Sequence, residues 1–157
     1  MVPLHFLINK DKEIMNLKEI IMISGKRGLY KLISHDKNRM IVESLEDKSR
    51  MPVFISAKPS ALDNIFIFTY NEDMPLKKAF KKIFEANNSG KVQENRIAND
   101  VEIKKYMEEV FPEYDKTRVH LSDMKKLFAW YNILHEKNIL SFDEADEETD
   151  TESETEK

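Results

Sequence analysis

Alternating apolar and polar side chains in the first half of the chain predict short β-strands. Residues 29–33 and 40–45 show this period of two and flank the turn-forming cluster 36–38, which predicts a β-hairpin. Residues 52–55 fit a third strand, with a proline at its start. Residues 65–70, rich in aromatic and β-branched side chains, fit a fourth. Short strands at intervals of about ten residues predict a small, strongly curved sheet or barrel.

The segment before these strands, residues 16–24, fits two kinds of element. Leu17, Ile20 and Ile21 are spaced as on a short helix that ends at Gly25. Isoleucine is β-branched, however, so a strand is the alternative. We expect a two-turn helix that leads into the barrel.

Apolar side chains three and four residues apart predict a helix over residues 76–84. Asp73 and Pro75 are typical of a helix start, and the polar cluster 87–90 marks its end. Residues 91–98 are polar and predict a linker. The face opposite the apolar one carries four lysines: Lys77, Lys78, Lys81 and Lys82.

Two further helices are predicted after the linker. The first begins at the N-cap Asn99, three residues before Glu102, and stops at Pro112. The second is capped by Ser122, and Trp130 lies beside its apolar face. Because neither helix is expected to be stable alone, we expect the two to pack as a helical hairpin.

Charge is distributed unevenly along the chain. Residues 143–157 hold nine acids and one lysine, whereas the preceding 142 residues hold 24 basic and 20 acidic side chains. The formal total of −4 therefore combines a body of +4 with a tail of −8. Ala145 is the one apolar residue of the tail, so we expect it to be disordered. It either keeps the body soluble or competes with an anionic ligand for the body's cations.

Composition excludes several classes of protein. The absence of cysteine excludes disulfides, thiolate catalysis and cysteine zinc sites. No apolar run approaches the roughly 18 residues of a transmembrane helix. Residues 1–14 lack the pattern of a signal peptide, and we expect them to be an extension ahead of a usual start at Met15. These features predict a cytoplasmic protein with no membrane partner.

The side chains used in catalysis have no recognisable arrangement. The four histidines lie in different segments, and no pair has the i, i+4 spacing that suits zinc. Gly25 and Lys26 are followed by Arg27 rather than Ser or Thr, so a P-loop is excluded. We predict a non-enzymatic protein with no catalytic residue, no cofactor and no metal.

The turn over residues 25–28 carries the most suggestive motif. Two glycines enclose two cations, a tight turn that can approach a phosphate backbone closely. With the strands that follow, it resembles the KOW-type motif of SH3-like barrels in ribosomal and transcription proteins. The turn also matches the G-x-x-G loop of KH domains, although a strand follows it where a KH domain requires a helix. The third interpretation of the turn is that it only leads into the β-hairpin and binds nothing. The nucleic-acid hypothesis assigns contacts to Lys26, Arg27, Lys31, Lys37 and Arg39.

Two other features are candidate binding sites. The four lysines of helix 76–84 can contact phosphates, although such a face is more often merely solvated. Trp130 follows a basic pair in the last helix, but the connection before that helix is too long for a helix-turn-helix DNA reader. An exposed Trp130 is an anchor for a protein partner, whereas a buried one seals the hairpin.

The chain from residue 15 to 142 contains the segments NLKEIIMISGKRGLYKLIS, RMIVESL, RMPVFIS and RVHLSDMKKLFAWYNIL. These resemble a domain-of-unknown-function family of small Bacteroidota proteins, whose members open with LKEIIAISGKPGLYKLV and end in an acidic tail. The resemblance implies a bacterial cytoplasmic protein. Arg27 stands where that family commonly has proline, which implies that the turn itself, rather than Arg27, is the important feature.

We therefore expect an α+β protein. A small SH3-like barrel with its leading helix covers residues 15–72, a basic helix and linker residues 73–98, and a helical hairpin residues 99–142. The expected function is a non-enzymatic binding module associated with RNA or the ribosome. The alternative is a protein-interaction adaptor that uses the hairpin and the acidic tail. The oligomeric state stays open.

Overall fold

The strand-forming residues of the first half build a five-stranded antiparallel sheet. The computed structural model describes residues 16–142, so the expected extension (1–14) and acidic tail (143–157) lie outside the described residues. The order in the sheet is β4-β3-β2-β1-β5: four consecutive strands form a meander, and the fifth returns to pair with the first. The strands are β1 (Ile20–Ile23), β2 (Tyr30–His35), β3 (Arg39–Ser44), β4 (Arg50–Phe54) and β5 (Pro59–Ala61).

One face of this sheet carries an apolar core. Its centre is formed by Ile21, Ile23, Val42 and Val53, all buried. A β-bulge between Leu32 and Ser34 interrupts the β2–β3 register, and bulges of this kind bend and twist a strand. Further side chains packed against the centre are Tyr30, Leu32, Met40, Met51 and Ala61.

Residues 16–24 form a turn and strand β1, so the expected leading helix is wrong and the strand alternative is correct. The side chain and carbonyl of Asn16 accept the N–H groups of Lys18 (3.1 Å) and Glu19 (3.0 Å), which closes a single turn. Ile20 and Ile21 then pair with β2 and are both buried, although they point to opposite faces. A strand buried on both faces has no polar alternation, and its short apolar run cannot be distinguished from a helix by spacing.

Three of the four predicted strands are confirmed as β2, β3 and β4. The fourth, residues 65–70, contributes only β6 (Phe66–Ile67), which pairs with β7 (Met74–Pro75) in a separate two-stranded sheet. The actual fifth strand, β5, begins at Pro59, a residue type more typical of turns. Within residues 16–142 no pairing joins β4 to β5, so the described strands form an open sheet and not a closed barrel.

Strand β4 lies at an edge of the sheet and has Pro52 at its centre. Hydrogen bonds from Ser44 N to Ser49 O (2.8 Å) and from Ile55 N to Asn38 O (3.0 Å) set the alternation of the β3–β4 ladder. By this alternation the backbone of Pro52 faces the free edge and not β3. The proline therefore costs no ladder hydrogen bond, and it removes an N–H group from the exposed edge.

Three helices follow the sheets: α1 (Leu76–Ala86), α2 (Asp100–Val110) and α3 (Leu121–Glu136). The predicted N-cap of α2 is confirmed, because Asn99 Oδ1 accepts the N–H of Glu102 at 3.0 Å. The N-cap of α3 is His120 and not Ser122. Asp123 accepts the His120 N–H at 2.9 Å, so the carboxylate at the third helical position sets the start of α3 two residues earlier than predicted.

Helices α2 and α3 contact each other, as expected of the predicted helical hairpin. The Tyr106 and Phe128 rings lie 5.2 Å apart, and Lys125 Nζ lies 3.2 Å from Asp100. The connection over residues 111–120 is also more than a turn, since several of its apolar side chains are buried.

The predicted linker after α1 is fixed to α3 at its start. The Tyr131 hydroxyl donates to Gly90 O at 2.7 Å. The Asn132 side chain accepts the N–H of Val92 at 2.8 Å and donates to its carbonyl at 3.3 Å. Val92 is buried, so this part of the linker belongs to the packed structure.

A short 3-10 helix, Leu62–Asn64, joins the sheet to the helices. Leu62 is fully buried, and the element contacts both β1 and α1. The N–H of Asp63 donates to Leu17 O at 3.1 Å. All the elements named above lie in one compact unit, residues 16–137.

Replacing Tyr131 by phenylalanine tests the hydrogen bond to Gly90. The variant Tyr131→Phe keeps the buried ring and leaves the Gly90 carbonyl without its donor. We expect the free energy of unfolding, measured by urea titration, to fall by about 1–2 kcal/mol. Tyr70→Phe is the control at an exposed tyrosine, whose hydroxyl accepts the Lys116 N–H at 3.3 Å, and it should change the free energy by less than about 0.5 kcal/mol because water can replace that exposed hydrogen bond. An equal effect of the two substitutions would contradict the assigned role.

Candidate functional site

The basic residues predicted to bind nucleic acid in the sheet region lie at two ends of the sheet. Lys26 and Arg27 lie in the β1–β2 connection, whereas Lys37 and Arg39 lie at the β2–β3 connection. Successive connections of an antiparallel meander occupy opposite ends, and a six-residue strand such as β2 separates them by about 20 Å. The fold therefore does not bring these cations together at one point.

The remaining cations of this set alternate with acids. Lys31 stands opposite Glu43 in the β2–β3 register, and Glu43 Oε2 lies 3.0 Å from Arg50 Nε on the next strand. Arg39 Nε lies 3.8 Å from Asp36. These contacts partly neutralise the basic surface that the sequence suggests.

The predicted lysine face lies on α1. Lys78 and Lys82 are exposed, and Lys77 and Lys81 are half-buried. The opposite side of the helix is buried through Leu76, Ala79, Phe80 and Ile83. The amphipathic helix is confirmed, and binding of an anion to its lysines stays a prediction.

Trp130 is 9% exposed, so it is not the freely exposed anchor of the protein-binding hypothesis. Its side chain lines an apolar cleft of about 130 Å³ between α3 and residues 65–68. The cleft also contains Asp123 and Lys126 as charged lining residues. Its remaining apolar lining consists of Leu76, Met107, Val119, Met124 and Leu127.

Beside this cleft, three aromatic side chains are exposed at alternate positions of an extended segment. Phe66, Phe68 and Tyr70, here called the aromatic row, are 47%, 39% and 61% exposed. Ile67 and Thr69, which lie between them, are buried. Sequence reasoning identified a strand here but not its exposed face. The signal was present, since aromatics at every second position of a strand share one face.

The aromatic row is held in place by the connection between α2 and α3. Asp115 N donates to Phe68 O at 2.9 Å, and Tyr70 N donates to Glu113 O at 3.0 Å. The Arg118 guanidinium lies 4.4 Å from the centroid of the Phe68 ring, a cation–π contact. The row is therefore fixed before any ligand arrives.

Asp115 fixes the shape of this connection. Its Oδ1 accepts the Thr117 hydroxyl at 2.7 Å and the Thr117 N–H at 2.9 Å. Its Oδ2 accepts Arg118 Nε at 2.8 Å. The Thr117 hydroxyl, followed by the Arg118 side chain and the Thr117 N–H, holds the pKa of Asp115 well below its usual range. Arg118 thus connects the carboxylate to the Phe68 ring.

Two ion pairs lie beside the row. Besides the Arg118–Asp115 pair, Lys116 Nζ lies 3.1 Å from Glu108, and this hydrogen bond raises the pKa of Lys116. A phosphate backbone requires cations that are available to it, and a protein partner requires an apolar surface with satisfied polar neighbours. The arrangement therefore suits a protein partner better than a nucleic acid.

Neither a metal site nor a membrane span is found in the described part of the chain. Within residues 16–142, no group of three or more histidine, aspartate or glutamate side chains is arranged to hold a metal ion. The described helices include none that is both long and apolar enough to cross a membrane.

Lowering the pH should weaken the hydrogen bonds that the Asp115 carboxylate accepts from Thr117 and Arg118. Because its pKa is lower in the folded chain than in the unfolded chain, its stabilising effect is present at neutral pH and is lost as the pH falls below about 4. We expect Asp115→Asn to unfold at lower temperature than the wild type at pH 7, and to show a shallower loss of stability on acidification. Hydrogen bonds from turn residues also lower the pKa of Asp36 and Asp47. Part of the pH dependence of stability therefore remains in Asp115→Asn.

The control for this experiment is Asp63→Asn, at an exposed carboxylate of the connecting 3-10 helix. Thermal unfolding followed by circular dichroism between pH 2.5 and 7 compares the three proteins. A wild-type pH dependence in Asp115→Asn would contradict the assigned role of the carboxylate.

Comparison with known proteins places both halves of the fold in families. The model of the domain of unknown function DUF5606 matches residues 17–62, and that of the domain of unknown function DUF6852 matches residues 65–134. The solution NMR structure of a protein from Bacteroides vulgatus is 40% identical, with a TM-score of 0.68, and the match covers 81% of this chain and 91% of that chain. No curated protein matches. The chain carries two domains of unknown function, DUF5606 and DUF6852, and belongs to one family with the Bacteroides vulgatus protein, as its resemblance to a Bacteroidota domain-of-unknown-function family predicted.

Proposed function

We propose that this protein is a non-enzymatic adaptor that binds a protein partner at the aromatic row and the cleft of Trp130. The observation that carries the proposal is the exposure of three aromatic side chains on a segment that hydrogen bonds and Arg118 hold in place. The partner is expected to insert an apolar side chain into the cleft, while the aromatic row contacts the partner's surface around that side chain.

An ordered aromatic surface reduces the free-energy cost of binding a partner. Aromatic residues with few rotatable bonds bury a large area for a small loss of side-chain entropy, and they are enriched at the centres of protein interfaces. A segment that is already ordered adds no further ordering cost when the partner binds. Salt bridges that already satisfy Arg118 and Lys116 limit the desolvation penalty at the rim.

This proposal keeps the adaptor hypothesis and changes the part played by Trp130. The indole is a wall of the cleft and not a protruding anchor. In this arrangement the anchor is a side chain of the partner. The aromatic side chains that this protein exposes are Phe66, Phe68 and Tyr70.

Association with RNA or the ribosome is the second candidate function, and the distribution of charge favours it. Residues 17–62 carry nine basic and five acidic side chains, a net +4, whereas residues 65–134 carry twelve and eleven, a net +1. The lysine face of α1 adds a local cluster. Binding at these places would be electrostatic and would therefore weaken steeply with salt.

An SH3-like arrangement of the sheet is part of this second candidate. Lys26 Nζ lies 3.9 Å from Met51 Sδ, although β3 lies between the β1–β2 hairpin and β4. Two strand spacings span about 10 Å in a flat sheet, so a contact of this kind supports strong curvature. The return of β5 to β1 supports the same arrangement.

Photo-crosslinking tests the adaptor function. A benzophenone amino acid at position 66 of the full chain is expected to crosslink a protein partner in lysate of the source cells, with or without nuclease. The same group at position 101, an exposed apolar position on α2, is the control and should not crosslink that partner. With the purified partner, Phe66→Ser and Tyr70→Ser should each weaken binding at least tenfold, about 1.4 kcal/mol. Equal crosslinking from both positions would contradict the proposal.

Salt titration tests the RNA candidate. A chain that ends at residue 142 should bind single-stranded RNA in fluorescence anisotropy, with an affinity that falls as salt rises. Replacing both Lys78 and Lys82 by glutamine should reduce the slope of log K against log salt by about 0.7 for each phosphate that the variant no longer neutralises. Binding that is absent or insensitive to salt would exclude this function.

A further inference from the structure

The outer face of strands β2 to β4 carries a second exposed apolar surface. Ile33 and Phe54 are 38% and 54% exposed. Because Met40, Val42, Met51 and Val53 belong to the core side, strand alternation places their neighbours in β3 and β4 on the opposite face. This outer patch consists of Ile33, Ile41, Pro52 and Phe54.

The register of the sheet brings these residues together. Ile41 stands directly opposite Pro52, and Phe54 stands opposite Arg39 two pairs further along, on the same face. Ile33 is the extra residue of the bulge in β2, beside the position that pairs with Ile41. A contiguous apolar surface of this kind on a soluble domain commonly marks an interaction site.

Cations border the outer patch. Lys31, Arg39 and Arg50 lie on the three strands, and Lys37 lies in the adjoining turn. Glu43 and Asp36 are the acids among them, so these six residues carry a net charge of +2. The patch is therefore apolar at its centre and basic at its border.

We infer that the outer patch binds an acidic amphipathic helix of a partner protein. Its apolar stripe would cover Ile41 and Phe54, and its carboxylates would face the basic border. Addition of a partner strand is disfavoured, because Pro52 presents no N–H group at the free edge of β4. A helix satisfies its own backbone hydrogen bonds and does not need that edge.

Other occupants fit the patch less well. A second copy docked face to face would place like-charged borders against each other. Single-stranded RNA binds by stacking its bases on aromatic rings, and Phe54 is the one aromatic residue among the four of the patch. A lipid surface requires apolar side chains that insert into it, whereas the side chains of the patch are about half covered by their neighbours.

Binding of designed peptides to the full chain tests this inference by fluorescence anisotropy. The probe is a labelled 18-residue helix with leucine at i, i+3, i+4 and i+7 positions and glutamate elsewhere. Its controls replace every glutamate by lysine, or every leucine by serine. We expect the acidic amphipathic peptide to bind at least tenfold more tightly than either control, and more weakly at high salt.

Substitutions locate the binding site. Phe54→Ser and Ile33→Ser should each weaken binding of the acidic peptide at least tenfold, whereas Val101→Ser, at an exposed position on α2, should not. Thermal unfolding shows whether each variant is folded, and the second patch variant replaces the first if one is not. Equal binding by Phe54→Ser and the wild type would overturn the inference.

Two further measurements distinguish other occupants. Sedimentation velocity detects self-association, and co-sedimentation with phosphatidylglycerol vesicles detects a lipid surface. If Phe54→Ser abolishes either of these while the acidic peptide does not bind, the patch belongs to that occupant and the inference is wrong.

Discussion

The burial of Tyr131 is the constraint on which the helical half of the structure depends. Its ring is fully buried and lies 6.3 Å from the Phe80 ring of α1, while its hydroxyl donates to Gly90 O. Burial raises the pKa of Tyr131, so the hydroxyl stays protonated as the donor that this contact needs. Because a buried hydroxyl without a partner is costly, the chain after α1 must return to α3 at this point. That return sets the position of α1.

Both candidate surfaces arise because a strand presents apolar side chains to solvent instead of to the core. In the aromatic row, Ile67 and Thr69 occupy the buried positions, and aromatic rings are left outside. In the outer patch, the core of the sheet takes Val42 and Val53, which leaves their neighbours uncovered. Each surface has its own charge environment: paired ions surround the row, and cations border the patch. Their expected partners differ for that reason.

Local signals predicted the elements whose residues interact mainly with their own neighbours. The cap at Asn99, the amphipathic faces of the helices and the hairpin turn between β2 and β3 are all sequence-local, and the structure contains them. Prediction was wrong where a distant contact decides the outcome. Residues 20–23 form a strand and not a helix because β2 and β5 lie on either side of β1. The predicted strand over residues 65–70 is reduced to Phe66–Ile67, and Phe68 and Tyr70 instead form hydrogen bonds with the connection between α2 and α3.

The candidate sites show the same division. Sequence alone determined which residues are basic, apolar or aromatic, and that the chain is an α+β protein of a domain-of-unknown-function family. The tertiary structure decided which of them meet: it placed Lys26 and Lys37 at opposite ends of the sheet, buried Trp130 and exposed Phe66. The physical reason is that exposure and proximity depend on which elements cover one another. That covering is set by contacts between residues far apart in the chain, which no local pattern records.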